Sequence, residues 1–389
     1  MYELLNILFV EDSDSDAELL VRFLKREGIA FISTRVWSKD AFLTALEENA
    51  FDLIIADHSL PQFSGMEAFH LAKEKKYSIP FILVTGTVTE NILTEYAKEG
   101  IGDYILKDNL LRLPSAIEHV LIKKKIEDLL RKLVYAHKRI EDSIHYAKTI
   151  QNAMLPDTIM LYDNFPDSFI FYKPKDVLSG DFYWFKNGKD TFFMAVADCT
   201  GHGIAGALMS MIGIEKLNSI AFESKNPAEI LKHLDRNIKS ALSQSTQYAH
   251  SQNGMDIALC TINKVTNTML FSGAKRPLWI IRKGQTVVEE INGSKKTIGG
   301  VVTDINPDFE HNEIQFEIGD SFYLFSDGYV DQFRAGGDKK ITTKRLKELL
   351  LSIQHKTMSE QKDEIVQYFD DWKAGSEQID DILVIGVRF

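Results

Sequence analysis

MAVADCTGHG (194–203) and FSDG (325–328) decide how the larger part of this chain folds. In each, an apolar run ends on an aspartate, Asp198 or Asp327, followed by small residues. SGD (179–181) and IDD (379–381) place Asp181 and Asp380 in the same setting beside further apolar runs. A carboxylate at the end of a buried strand is costly unless something positive holds it. A pair of divalent metals is the natural candidate, because hard cations take carboxylate oxygens and two of them activate a bridging water. A lone aspartate beside glycine is ordinarily a turn residue or a cap. Only the ordered set of four raises the metal reading above that.

Outward from these motifs the pattern is one of short strands. FIFYKP (169–174), FYWFK (182–186), TFFMAVAD (191–198), DIALCTIN (256–263), TMLFSGA (268–274), PLWIIRKG (277–284), DSFYLFSD (320–327) and DILVIGVRF (381–389) read as β. Helical stretches are expected near 204–222, 227–243, 343–353 and 359–371. Such a mixture predicts an α+β domain, an antiparallel β-sandwich flanked by helices. Gly180, Gly201, Gly203 and Gly328 permit tight bends and close backbone approach. GHGIAGALMSM (201–211) reads as a turn entering a helix whose first amides face an anion. The natural chemistry of such a metal pair is hydrolysis of a phosphate ester by activated water, which needs no covalent nucleophile, and no serine or cysteine stands in the setting of one.

IHYAKTIQNAMLP, SGDFYW, VADCTGHG, GMDIALC, FSGAKRPLW, IGG, FSDG and DDILVIGVRF follow one another from Ile144 to Phe389. In kind and order they resemble the motifs of the metal-dependent PPM serine/threonine protein phosphatases, in the bacterial SpoIIE/RsbU-like branch. The resemblance implies that Asp198 bridges two Mn²⁺ or Mg²⁺ ions. It implies that Asp181, Asp327, Asp380 and the backbone carbonyl of Cys199 complete the shell, with Asp256 and Asp381 as weaker candidates. The substrate it implies is a phosphoserine or phosphothreonine on a protein, a STAS-type anti-sigma-factor antagonist. Ser179 replaces a frequent glycine and Cys199 follows the bridging aspartate, but neither change removes a side-chain ligand. His202 reads as a helix-start residue, and Cys199 as a buried residue rather than a redox sensor.

The first ~110 residues alternate strand and helix as βαβ units do. Strands are expected at NILFV (6–10), FISTRV (31–36), FDLIIAD (51–57), PFILVTG (80–86) and DYILK (103–107), with helix caps at Ser13 or Asp14, Ser38 and Thr89. Three runs are almost continuously apolar, as for parallel strands covered on both faces. In a doubly wound five-stranded parallel sheet ligands sit beyond the carboxyl ends of the strands. There stand Glu11, Asp12, Asp57, Thr85 and Lys107. The acids suit Mg²⁺, Asp57 suits nucleophilic attack on a phosphoryl donor, and Thr85 and Lys107 suit the phosphoryl oxygens. These positions resemble a response-regulator receiver domain over residues 4–122. The resemblance implies Asp57 as phospho-acceptor and Glu11, Asp12, Asp57 and the Ser59 carbonyl at the metal. It further implies Thr85 and Lys107 as phosphoryl ligands, Tyr104 as the switching aromatic, and a histidine kinase as partner.

Pro114 opens a helical pattern that Pro156 closes. Ile122, Ile126, Leu129, Leu133, Ala136, Ile140, Ser143, Ala147, Ile150 and Met154 alternate spacings of four and three, a heptad seam. The strict repeat favours a parallel two-stranded coiled coil, and a homodimer through residues 118–154, over a helix lying on its own domains. His137 and His145 read as surface positions, since no nucleotide-binding motif follows. The expected organisation is a receiver domain over 1–122, a helical linker and regulatory helix over 114–156, and a phosphatase domain over 157–389.

Composition narrows the rest. A chain of 389 residues with 44% hydrophobic and 26% charged residues is expected to form more than one globular domain. A net charge of −11 argues against nucleic acid, which needs a basic surface. Lys123–Lys125 reads as a solvated helix face. The two cysteines, Cys199 and Cys260, fit a reducing compartment rather than a disulfide framework. No signal-peptide pattern and no bilayer-length apolar run is read, so a cytoplasmic location without membrane contact is expected. Two functions follow from different classes. One is an enzyme, a response regulator whose Asp57 phosphorylation controls a protein phosphatase. The other is a receiver-controlled docking module with a catalytically silent phosphatase-like domain.

Overall fold

The computed structural model describes residues 4–61, 63–86, 101–221, 223–244, 253–300 and 308–389. The chain divides into two compact units, Met1–Arg139 and Ile140–Phe389. In the first, strands β1 (Leu5–Val10), β2 (Phe31–Val36), β3 (Leu53–Asp57), β4 (Phe81–Thr85) and β5 (Asp103–Leu106) form one parallel sheet in the order β2-β1-β3-β4-β5. This is the doubly wound sheet expected from the sequence. Apolar clusters cover both faces, one with Leu8, Ile54 and Leu83, the other with Ile7, Ile55 and Val84. The alternation explains why β3 and β4 are apolar at nearly every position. Ser13 and Ser38 cap the helices Asp14–Arg26 and Lys39–Glu48 through their side chains, so Asp14 is the first helical residue rather than the cap. A cap at Thr89 lies outside the described residues. Gly65 starts the third helix where a Cβ would stand 2.4 Å from the carbonyl of Asp57, which ties that helix to the end of β3.

After β5 a short 3₁₀ turn leads into one continuous helix, Leu113–Met154. Its 42 residues at ~1.5 Å each give a length of roughly 63 Å. Pro114 sits in the first turn, where its missing N–H costs nothing. Leu113, Ala116, Ile117 and Val120 are buried against the sheet. Beyond them the heptad positions Ile122, Ile126, Leu129, Leu133 and Ile140 are exposed.

The second unit packs two sheets face to face. Strands β6 (Ser168–Lys173), β7 (Phe182–Asn187), β8 (Thr191–Cys199), β9 (Gly254–Asn263), β10 (Thr268–Ala274), β11 (Leu278–Ile281), β12 (Glu289–Ile291), β13 (Ile298–Gly299), β14 (Asn312–Gln315), β15 (Ser321–Phe325) and β16 (Ile382–Arg388) supply them. One sheet runs β14-β10-β9-β8-β7 with β13 on β9; the other runs β12-β11-β15-β16-β6. Between them lie Val196, Cys260, Ile280, Leu324 and Ile385. Helices Gly203–Ile220 and Pro227–Ala241 cover the outer face of the first sheet. Helices Thr342–Ser352 and Met358–Lys373 cover the second. This is the helix-flanked antiparallel sandwich expected.

Candidate functional site

The β8 alternation sets the site. Phe192, Met194 and Val196 face the space between the sheets, while Phe193, Ala195, Ala197 and Cys199 face the helices. Period two then puts Asp198 on the inter-sheet face as β8 runs out. Asp256 is its neighbour on β9. Asp181 immediately precedes β7, whose Phe182 pairs with Ala197. Asp327 lies two residues beyond β15, and Asp380 two before its antiparallel partner β16. Five acids from both sheets therefore collect at one end of the sandwich. Asp198, Asp256, Asp327 and Asp380 line a cavity of about 600 Å³, with Lys275, Lys295 and Lys296 also on its wall.

The loops here are held by contacts that only glycine allows. A Cβ on Gly206 would stand 2.2 Å from the Gly201 carbonyl, and one on Gly180 2.6 Å from that same oxygen. The SGD and GHG turns thereby lock onto the start of helix Gly203–Ile220. Asp381 has a different task from its neighbour: its two oxygens accept from the backbone N–H groups of Lys175 (2.8 Å) and Gly180 (2.7 Å). It braces the Asp181 loop rather than facing the cavity.

Charge in this site is uncompensated in a telling way. Asp181 is buried, and its Oδ2 has no hydrogen-bond partner. Burial and the neighbouring Asp198 push its carboxyl well above the usual range. Burial also raises Asp198, despite the opposing pull of Arg276. Asp380 is raised by burial. Asp327 is lowered, because Arg276 outweighs the effect of its burial. A site in which Asp181, Asp198 and Asp380 resist ionisation in the absence of a cation fits divalent metal. The Cys199 thiol is pushed up by burial and stays protonated, which suits a packing role and leaves only its carbonyl for a ligand.

Three residues with a part in these sites were not singled out from sequence. Arg276 Nη2 donates to Asp198 Oδ2 (2.7 Å) and Asp327 Oδ2 (2.6 Å). Gln151, buried near the end of the long helix, donates through Nε2 to the Ser179 carbonyl (2.6 Å) and Ser210 Oγ (2.9 Å). Its Oε1 accepts from the Ser179 N–H at 3.2 Å. The linker thus holds the backbone two residues before Asp181. Asp16 is the third. It and Asp57 both accept from Lys107 Nζ, the latter at 2.8 Å, with Glu11 Oε2 3.6 Å away.

In the first unit Glu11, Asp12 and Asp57 bring ligand atoms within 4.8 Å of one another. Glu11 is buried, its Oε2 accepts no hydrogen bond, and burial raises its pKa. An orphaned carboxylate oxygen in an acidic triad fits Mg²⁺. Lys107 carries the opposite charge: burial opposes its ammonium, but Asp16 and Asp57 outweigh it and raise its pKa. Ser59 N–H donates to Asp57 Oδ1 at 3.2 Å. Thr85 is buried at the end of β4, next to β3. Tyr104 on β5 is half-buried against the cluster containing Phe81 and Leu83. His202 begins its helix without a side-chain cap, bonded instead to Asp176 (2.9 Å) and Lys175 (3.1 Å).

A doubly wound sheet with an acid–lysine pocket, followed by a helix-flanked sandwich with acids at one end, defines a receiver joined to a PP2C-type phosphatase domain. Residues 7–118 match the response regulator receiver domain. Residues 188–389, more than half of the chain, match Stage II sporulation protein E (SpoIIE). The chain belongs to the SpoIIE family. It is 26% identical over 197 residues to the phosphoserine phosphatase RsbU of Bacillus subtilis, covering 50% of this chain and 55% of RsbU. It is 30% identical over 101 residues to the response regulator protein FleR of Pseudomonas aeruginosa, covering 26% of this chain and 21% of FleR. The SiaA-PP2C domain of Pseudomonas aeruginosa superposes with a TM-score of 0.58 at 32% identity, covering 65% of this chain and 98% of that domain. The chain spans about half or less of the length of these curated relatives. Among the described residues, no helix is long and apolar enough to cross a membrane.

Proposed function

We propose that this chain is a receiver-controlled, metal-dependent phosphatase acting on phosphoserine or phosphothreonine in a protein. The observation that carries this reading is the gathering of Asp181, Asp198, Asp327 and Asp380 at one end of the sandwich, with one Asp181 oxygen buried and unpartnered. These four side chains and the Cys199 carbonyl would hold two Mn²⁺ or Mg²⁺ ions. Bound there, the metals supply a nucleophilic water and neutralise phosphoryl charge. The chain's own residues do the rest. Asp381 and Gln151 fix the Asp181 loop from its two sides. Lys275, Lys295 and Lys296 give the cavity a cationic wall that draws in a phosphoprotein.

In the receiver, Asp57 would accept a phosphoryl group from a partner histidine kinase. Glu11, Asp12, Asp57 and the Ser59 carbonyl would bind Mg²⁺, with Thr85 and Lys107 on the phosphoryl oxygens and Tyr104 responding to them. The receiver reading extends over 1–122, the linker over 114–156 and the phosphatase over 157–389. Signal would pass along the Leu113–Met154 helix, which ends in the Gln151 clamp. The exposed heptad positions support a homodimer through residues 118–154. A phosphorylated STAS-type anti-sigma-factor antagonist is the proposed substrate, and the cytoplasm the proposed location.

The test is hydrolysis of a phosphoserine peptide and of a phosphorylated STAS protein by the purified chain with Mn²⁺. It is run with and without a small phosphodonor, beside Asp198→Asn and Asp57→Asn. Turnover lost in Asp198→Asn, and a donor response lost in Asp57→Asn, is the expected result. No turnover on either substrate under any of these conditions would transfer the reading to a silent docking module.

A further inference from the structure

Arg276 is a buried cation of the phosphatase cavity in contact with its acids, and the turn that carries it is built for it. Lys275 adopts a left-handed conformation (φ +59°), which turns the chain sharply after β10. The Arg276 carbonyl then packs where a Cβ on Gly273 would approach it to 2.3 Å, and one on Gly293 to 2.7 Å. Lys275 N–H to the Ser294 carbonyl and Ser294 N–H to the Gly273 carbonyl, each 2.7 Å, close the turn. This much backbone specialisation points one guanidinium into the cavity. The side chain is only 12% exposed. Its Nη2 is shared by Asp198 and Asp327, with Asp256 Oδ2 at 3.8 Å, while its Nε is buried without a partner.

Arg276 shares the cavity wall with Lys239, Lys275, Lys295 and Lys296, but its guanidinium hydrogen-bonds two of the proposed ligand carboxylates. Four proposed ligand carboxylates match the charge of two divalent ions, and Arg276 then becomes a surplus positive charge. An incoming phosphate monoester dianion needs more positive charge than those ions leave over. A guanidinium fork suits phosphoryl oxygens in geometry as well as charge. We propose that Arg276 is a phosphoryl-binding residue that rests on Asp198 and Asp327 and turns its donors to the substrate phosphate when those carboxylates take up metal. This rests on the phosphatase reading for its substrate class, but not for the resting contact. The resting contact also makes Arg276 a competitor for metal, so the same residue raises the metal concentration needed to load the site.

Two calorimetric titrations test this without turnover. In the first, Mn²⁺ is titrated into metal-free wild type, Arg276→Gln and Arg276→Lys. Tighter Mn²⁺ binding by Arg276→Gln is expected, because no guanidinium has to leave the acids. In the second, inorganic phosphate is titrated into the Mn²⁺-saturated proteins. Phosphate affinity should fall about tenfold or more in Arg276→Gln, the loss of one charge-assisted hydrogen bond. Arg276→Lys keeps the charge without the fork and should fall between the two. It also guards against a Gln variant that fails to fold. Weaker Mn²⁺ binding in the Gln variant, or unchanged phosphate affinity in both variants, overturns the proposal. A wild type that binds phosphate through Arg276 yet hydrolyses no phosphoserine peptide leaves the subsite standing and defeats the phosphatase reading alone.

Discussion

Replacing Gln151 by leucine isolates the connection between the long helix and the loop that carries Asp181. The side chain is 3% exposed and makes three hydrogen bonds, two to the backbone of Ser179 and one to Ser210. Leucine occupies similar volume, so packing is largely kept and the hydrogen bonds are lost. Ser210 retains its bond to the Ala207 carbonyl at 2.8 Å. The buried Ser179 N–H loses the amide oxygen that satisfies it, and the Ser179 carbonyl keeps only the longer contact from Ser210 Oγ at 3.4 Å. At about 1–3 kcal/mol for each buried group left unsatisfied, the expected loss is about 3 kcal/mol. That loss should appear twice. Urea unfolding of the 140–389 unit within the full chain should shift by this amount, read by tryptophan fluorescence, since the four tryptophans include Trp184 and Trp279 in its core. Calorimetric Mn²⁺ affinity should also fall, because Asp181 follows Ser179 by two residues and its loop would lose one of its two braces. A Gln151→Leu protein within ~0.5 kcal/mol of wild type, the range of an ordinary surface substitution, and with unchanged Mn²⁺ affinity would refute the clamp.

Leu133→Asp places a charge in the exposed heptad face, where Leu133 is 65% exposed. Sedimentation should shift from dimer towards monomer with the receiver's fold intact, and an unchanged sedimentation coefficient with unchanged regulation would count against the coiled coil. Gly328→Ala puts a Cβ 2.0 Å from the Asp381 carbonyl, so Asp327 and Asp380 should be pushed apart and Mn²⁺ affinity should drop at least about tenfold, a cost of ~1.4 kcal/mol. Asp320 gives the pH dependence. Burial opposes its charge, but the N–H groups of Lys283 and Glu317 and the Arg282 guanidinium outweigh it and lower its pKa. A lowered folded-state pKa contributes stability above the unfolded carboxylate value of ~3.9, which is lost as pH falls through the folded value. Wild type should therefore exceed Asp320→Asn in unfolding free energy at pH 7, and the gap should close below about pH 4; a gap constant from pH 7 to 3 would exclude the assignment.

The elements legible in sequence were those whose pattern is local. β8 announces itself by an apolar run ending in Asp198, and the helix cap at Ser38 by its side chain. The four proposed ligand carboxylates were readable because each stands at one end of such a run, Asp198 and Asp327 where it stops and Asp181 and Asp380 before it begins. Gln151, Arg276 and Asp16 were not, for a shared physical reason. Gln151 meets partners 28 and 59 residues away. Arg276 meets partners 78 and 51 residues away, and Asp16 meets Lys107 across 91. No periodicity encodes such meetings; only the sheet registers bring them about. FSGAKRPLW did hold a signal, a positive charge between two buried strands, but its acidic partners had to be found in space. Strands β12, β13 and β14 escaped notice because EEI, IG and NEIQ are too short for alternation to register. Asp381 ranks below Asp380 as a ligand in the sequence, and its bonds to the backbone amides of Lys175 and Gly180 give it a bracing task instead.

Because Asp181 and Asp198 belong to one sheet while Asp327 and Asp380 belong to the other, the acidic cluster straddles a gap whose width is set by side chains such as Val196, Leu324 and Ile385. The cluster is therefore a caliper for the sandwich. A methylene removed from or added to the filling between the sheets changes the span between its jaws. Under the proposed function, cation affinity would become a ruler for core packing well away from any ligand, and substitutions chosen for the interior would tune it without touching an acid.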